Sequence, residues 1–238
     1  MKVEIWSDVA CPFCYIGKRH FEKALSEFAD RDKVEIEWKS YLLDPDYVYK
    51  PENPESEAVY IANRKGISMD EALRMFTSVT QMASKAGLKY DFEKMIVANT
   101  FNAHKIIQLA KSKTLGSEAE ERFFKAFFVD GENLNEEETL VRLGVEIGLT
   151  AEDVSNALTA DTYAFEVNKD IREARQIGVS GVPFFVFDRK YAVSGAQAVE
   201  VFLQSLEKSY NEWATKNNIK PLNNIAEGNV CDTDGNCT

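Results

Sequence analysis

Histidine and cysteine are scarce in this chain, which holds two and four of them among 238 residues. A zinc site built on Cys11 and Cys14 would need two more ligands, yet neither His20 nor His104 stands in a metal-binding spacing. Nor are the cysteines spread through the sequence, as they would be in a disulfide-stapled secreted fold. They form two close pairs, Cys11 with Cys14 and Cys231 with Cys237, with none between. Basic residues are outnumbered, with 28 Lys plus Arg against 39 Asp plus Glu and a net charge of −11. That balance argues against nucleic acid or an anionic membrane as the main partner. No apolar run approaches the roughly 18 residues that would suggest a bilayer span. The opening Met1-Lys2-Val3-Glu4-Ile5-Trp6-Ser7-Asp8 lacks the apolar stretch of a secretory signal. A cytoplasmic location is therefore expected. Internal repeats and low-complexity tracts are also absent.

The chain is 45% hydrophobic, and a chain of this length buries about 70% of its unfolded surface without needing a disulfide. Residues 3–9, Val-Glu-Ile-Trp-Ser-Asp-Val, alternate like a strand. Cys11-Pro12-Phe13-Cys14 follows directly, and then Phe21, Ala24, Leu25 and Phe28 recur at helical spacing. The C-x-x-C thus opens a helix, where Pro12 sacrifices no hydrogen bond. Two readings are open, a redox dithiol or half of a metal site, and the strand–turn–helix context favours the first. At a helix N-terminus, orphan N–H groups and the macrodipole stabilise a thiolate at Cys11. Cys14, one turn on, is placed to resolve a mixed disulfide formed there.

Residues 34–43 read as a second strand, ended by Asp44-Pro45. From about 57 to 177 the pattern is helical throughout, with residues 93–111 in a mixed helical stretch. Ser68, Ser117, Asn135 and Thr150 are the expected helix starts, and Gly87 and Gly148 the expected stops. After Gly178 the period returns to two. Phe184-Phe185-Val186-Phe187 and Tyr191-Ala192-Val193 form a hairpin around Asp188-Arg189-Lys190, and a last helix runs from about 196 to 216. The predicted architecture is α/β, a thioredoxin-like fold (βαβ…ββα) with a large helical insertion. Residues 1–56 and 178–216 would form the thioredoxin-like domain and 57–177 the inserted helical domain. Residues 217–238 would be a tail carrying the second cysteine pair.

Three stretches carry a family resemblance: Trp6-Ser-Asp-Val-Ala-Cys-Pro-Phe-Cys-Tyr-Ile-Gly17, Ala98-Asn-Thr-Phe-Asn-Ala-His104, and Ile177-Gly-Val-Ser-Gly-Val-Pro-Phe-Phe-Val186 with Ser194-Gly-Ala-Gln197. In these the chain resembles the DsbA family, specifically its cytoplasmic FrnE-like branch. The resemblance implies a thiol–disulfide oxidoreductase that reduces, forms or isomerises protein disulfides, with Cys11 and Cys14 catalytic. It also implies a cis proline at Pro183 facing the dithiol, with the Val182 backbone seating the substrate. No bound cofactor is expected, and glutathione or another thiol would serve as electron donor. Phe13 is a departure, because periplasmic DsbA carries histidine there. Phenylalanine cannot donate to the thiolate, so a milder oxidant is expected.

The same superfamily offers a competing class, the 2-hydroxychromene-2-carboxylate isomerases and kappa-class glutathione transferases. Those carry serine at the motif's first position, and Cys11 argues against them. A third class is a non-enzymatic polypeptide-binding chaperone. His104 is either a core histidine or an acid–base helper. Cys231 and Cys237, on either side of the turn pair Asp234-Gly235, could form an auxiliary redox pair that exchanges with Cys11 and Cys14.

Overall fold

The computed structural model describes residues 1–217. Four strands form one sheet in the order β2-β1-β3-β4. β1 (Lys2–Ser7) pairs parallel with β2 (Glu35–Ser40) and antiparallel with β3 (Phe184–Phe187), and β4 (Tyr191–Ser194) closes the hairpin with β3. The parallel pair requires a crossover, supplied by α1 (Pro12–Glu27). Asp188 and Arg189 take φ of 48° and 55°. Two left-handed residues in succession match the right-handed twist of a hairpin.

Ile5 pairs with both Trp38 and Phe185, so β1 is central. On one face Val3, Ile5, Phe185 and Phe187 meet Phe21 of α1 and Phe202 of α9 (Val199–Asn217). The Phe185 and Phe202 rings lie 4.6 Å apart, edge to face. On the other face Trp6 and Val186 pack on Ala174 of α8 (Asp161–Gln176).

Between β2 and β3 lie α2 (Glu57–Lys65), α3 (Met69–Lys85), α4 (Phe101–Ser112), α5 (Gly116–Lys125), α6 (Glu137–Glu146), α7 (Ala151–Thr159) and then α8. Ser68 opens α3 with a reciprocal capping box to Glu71, and Thr150 caps α7 through the Asp153 N–H, both as expected. Buried Phe123, Phe124, Phe127 and Phe128 join Ile106, Leu140 and Leu143 in a core that runs on to Cys11 and Cys14.

Several expectations need correction. Helix does not run unbroken from 57 to 177, because residues 86–100 form a loop after Gly87 turns left-handed at φ 79°. In that loop Ile96 makes an isolated bridge to Ser56, and Asn99 donates to the carbonyls of Pro45 and Tyr47. Met95 and Val97 are apolar because they are buried there, and the helix begins only at Phe101. Ser117 does not cap α5: the helix starts one residue earlier, and the Ser117 hydroxyl accepts from Trp38 Nε1 at 3.2 Å. Asn135 likewise gives its amide to the Val97 carbonyl at 2.9 Å, while Glu136 holds the cap position of α6. The last helix starts at Val199, a few residues later than expected.

Candidate active site at the start of the first helix

Cys11 is the N-cap of α1 and Pro12 occupies its first turn, which contains no acidic residue. Such a terminus presents unpaired N–H groups and positive potential to the thiol. The Cys11 N–H donates to the Asp8 carbonyl at 2.9 Å, and the Cys14 N–H to the Cys11 carbonyl at 3.0 Å. Across the site, the Cys11 thiol donates to the Val182 carbonyl at 3.4 Å. The Val182–Pro183 bond is cis, as the resemblance implied. Cys11, Cys14, Val182 and Pro183 are thus brought together from opposite ends of the chain. Cys231 and Cys237 lie outside the described residues.

The two thiols are not equivalent. Cys14 is only 1% exposed, and burial, then its contact with Cys11, pushes its pKa well above the ordinary value. Cys11, 3% exposed, faces a cavity of about 330 Å³. Phe13 stands beside it, 39% exposed.

Close packing fixes this geometry. A Cβ on Gly17 would come within 3.0 Å of Pro183 Cγ, so glycine lets α1 approach the proline loop without crowding the ring. The Gly195 N–H donates to the Pro183 carbonyl at 2.8 Å. The His20 ring meets the Gln197 carbonyl at 2.8 Å through Nδ1. Tyr90, in the loop after α3, donates to the Pro12 carbonyl at 2.7 Å.

Sequence reasoning did not single out Asp8, although it stands within the first motif. Its carboxylate accepts from the Leu43 N–H and the Thr100 hydroxyl, each at 2.7 Å, and faces His104 Nε2 at 3.4 Å. Burial would raise its pKa, but these partners together hold it below the ordinary value. Asp8 ties three segments behind Cys11, and proximity in the fold was the missing signal. His104 is fully buried against Asp8 and does not line the cavity. That places it in the core beneath the site. Among the described residues no cluster of three or more His, Cys, Asp or Glu side chains is arranged to hold a metal ion.

The DSBA-like thioredoxin domain family matches residues 2–207. The chain belongs to this family. A crystallographic relative, the probable DsbA oxidoreductase SCO1869 from Streptomyces coelicolor, is 38% identical with a TM-score of 0.83, covering 100% of this chain and 98% of its own. The uncharacterized protein YwbO of Bacillus subtilis (strain 168) is 27% identical over 206 residues, 86% of this chain and 94% of YwbO. The cytosolic disulfide reductase DsbM from Pseudomonas aeruginosa shares the fold at 17% identity and a TM-score of 0.59, covering 91% of this chain and 98% of its own. DsbM has also been solved with GSH.

Proposed function

We propose that this DSBA-like protein is a thiol–disulfide oxidoreductase in which Cys11 attacks and Cys14 resolves. One observation carries the reading: the Cys11 thiol sits at a helix N-terminus, against the Val182 carbonyl, with Cys14 buried one turn behind. The Cys11 thiolate attacks one sulfur of a substrate disulfide and expels the other as a thiolate, leaving a mixed disulfide. Cys14 then loses its proton and attacks the Cys11 sulfur, which releases the reduced substrate and closes the Cys11–Cys14 disulfide. Burial opposes early ionisation of Cys14, so its thiolate forms when the mixed disulfide is in place. An external thiol such as glutathione reopens the pair by the same exchange.

The Val182 and Pro183 backbone flanks the attacking sulfur and seats the substrate. Protein disulfides are substrates when they lie on exposed, extended segments able to reach a nearly buried thiol. The FrnE-like motif and the likeness to the cytosolic reductase DsbM support a cytoplasmic location, where reduction or isomerisation is the net direction. The motif's cysteine, in place of serine, favours exchange over glutathione-dependent isomerisation.

The test is insulin-disulfide reduction with dithiothreitol as donor. The unmodified chain should accelerate precipitation, Cys11→Ser should fall to the uncatalysed rate, and Cys14→Ser should accumulate a mixed disulfide on Cys11. A Cys11→Ser variant as active as its parent would sink the proposal.

A further inference from the structure

The cavity beside Cys11 has a polar group that the exchange chemistry does not use. Its walls are apolar and aromatic, formed by Phe76, Phe92, Phe127, Phe128, Val79 and Met75. Phe76 and Phe92, both in this wall, stack at 4.2 Å with only 5° between their planes. A volume of about 330 Å³ suits the body of a small organic molecule.

Of the charged groups that line it, Lys65 is exposed to solvent and most of the others are engaged. Asp44 accepts from the Tyr60 hydroxyl at 2.7 Å and pairs with Arg64. Arg64 also donates to the Leu43 carbonyl at 2.6 Å. Asp8 is held by Leu43, Thr100 and His104. Glu57 differs. It is 9% exposed, its Oε2 is buried without a hydrogen-bond partner, and burial pushes its carboxyl up to about 7. A buried carboxyl without a donor is costly unless something supplies one. A cationic donor arriving in the cavity would do so and would hold the carboxylate ionised.

We propose that this cavity is a site for a low-molecular-weight disulfide with an apolar, aromatic-sized body and an amine that pairs with Glu57. The inference rests on the exchange reading above and names the substrate class of that site. Three features select this class over glutathione disulfide or a folded protein. Cys11 is nearly buried, so a disulfide small enough to enter the cavity reaches it more readily than one held in a folded protein. The aromatic wall desolvates an apolar body well and a peptide backbone poorly. The lining cations are Arg64, paired with Asp44, and the exposed Lys65, whereas Glu57 is the buried acid without a partner, so inside the cavity an amine is met and a glutathione carboxylate is not.

The Cys11 thiolate bonds to the sulfur of the seated half, the substrate S–S bond breaks, and the other half leaves as a thiolate that takes a proton from water. Cys14 gives its proton to water and bonds to the Cys11 sulfur, and the seated half leaves as its thiolate and is protonated in turn. Two electrons pass from the dithiol to the substrate, and an external dithiol restores the enzyme.

The experiment compares matched probes on the reduced full-length chain in single turnovers, quenched with acid and read by mass spectrometry. Bis[4-(aminomethyl)benzyl] disulfide and bis(4-carboxybenzyl) disulfide share a body and differ in charge. Each rate is divided by that of free dithiothreitol, which removes intrinsic reactivity. The amine probe should react at least tenfold faster than its carboxylate twin and faster than glutathione disulfide. Glu57→Gln should bring the twin ratio close to one, and Val79→Phe, which fills the cavity, should slow the amine probe. Equal rates for the twins, preference for the carboxylate or for glutathione disulfide, or a ratio unmoved by Glu57→Gln would overturn the inference and leave disulfide exchange standing. No reaction with any probe, the small neutral hydroxyethyl disulfide included, would overturn the exchange reading and this inference with it.

Discussion

At the scale of single residues, Phe13 bears on the driving force of the exchange. It lies between the two cysteines, 39% exposed, and has no group able to donate to a thiolate. The reduction potential should therefore lie nearer the about −270 mV of thioredoxin than the about −120 mV of DsbA. Phe13→His should raise it by tens of millivolts, on the order of the shift a new thiolate donor gives. Equilibration against dithiothreitol and glutathione redox buffers measures both, and a parent potential above about −150 mV would contradict the argument. Glu120 makes a separate prediction about stability. It is fully buried with both carboxyl oxygens unpartnered, and burial raises its pKa from 4.5 to about 7 despite the opposing charges of His104, Lys18 and Lys111. Between those two values the folded chain holds a proton that the unfolded chain has lost, so Glu120 weakens the fold progressively as pH rises through this window. Gln cannot ionise. The stability of Glu120→Gln relative to its parent should thus improve by roughly 3 kcal/mol between pH 4.5 and 8, measured by urea denaturation at each pH. A difference independent of pH would show that Glu120 does not titrate there.

At the scale of elements, α1 delivers Cys11, and its distance from the proline loop is set by one missing methyl group. Gly17→Ala would gain about 1 kcal/mol of helix propensity. The new Cβ would, however, stand 3.0 Å from Pro183 Cγ, a ring atom with little freedom to move aside. A net destabilisation of about 1–2 kcal/mol is expected. Insulin reduction should fall further than that loss implies, because the Cys11–Val182 contact opens. Thermal melting alongside the assay separates the two effects, and a fully active Gly17→Ala would show that the close approach is dispensable. The α1 start was legible in the sequence, since a strand, a turn and Pro12 at the first helical position all point to it. The starts of α5 and α6 were not. Ser117 and Asn135 are residue types that cap helices, but their polar atoms are committed to Trp38 and Val97. A local capping rule has no knowledge of such distant partners.

At the scale of the whole molecule, the sheet and the inserted helices are joined through Asp170 of α8. Its carboxylate accepts from the Ser40 N–H at 3.0 Å and from Gln108 of α4 at 2.6 Å, and its carbonyl accepts from Trp6 Nε1 at 3.0 Å. Lys39 reaches it at 3.3 Å and also pairs with Glu37 at 2.9 Å. Asp170→Ala would strand the Ser40 N–H and Gln108 and weaken the balance around a buried lysine. A loss of about 3 kcal/mol is expected, at the lower end for a broken buried pair because Glu37 stays with Lys39. Fluorescence and circular dichroism should still report one transition, since the core around Cys11 and Cys14 is shared by α1 and the inserted helices. Separate transitions would mean that the two parts fold independently.

The order of the elements, the thioredoxin-like arrangement and the placing of the C-x-x-C at a helix start were all legible in the amino-acid sequence. Those features rest on periodicity and on neighbours a few residues apart. Proximity between distant segments follows from packing and has no local signature. Packing holds residues 86–100 as a buried loop with apolar side chains, which from sequence alone reads like a helix. The fold gathers Asp8, Thr100 and His104 behind Cys11, from positions with no common spacing. It also carries Glu57 from a solvent-suited N-terminal helix position into the wall of an apolar cavity. Burial changes a carboxyl group's chemistry, and burial is a property of the packed chain.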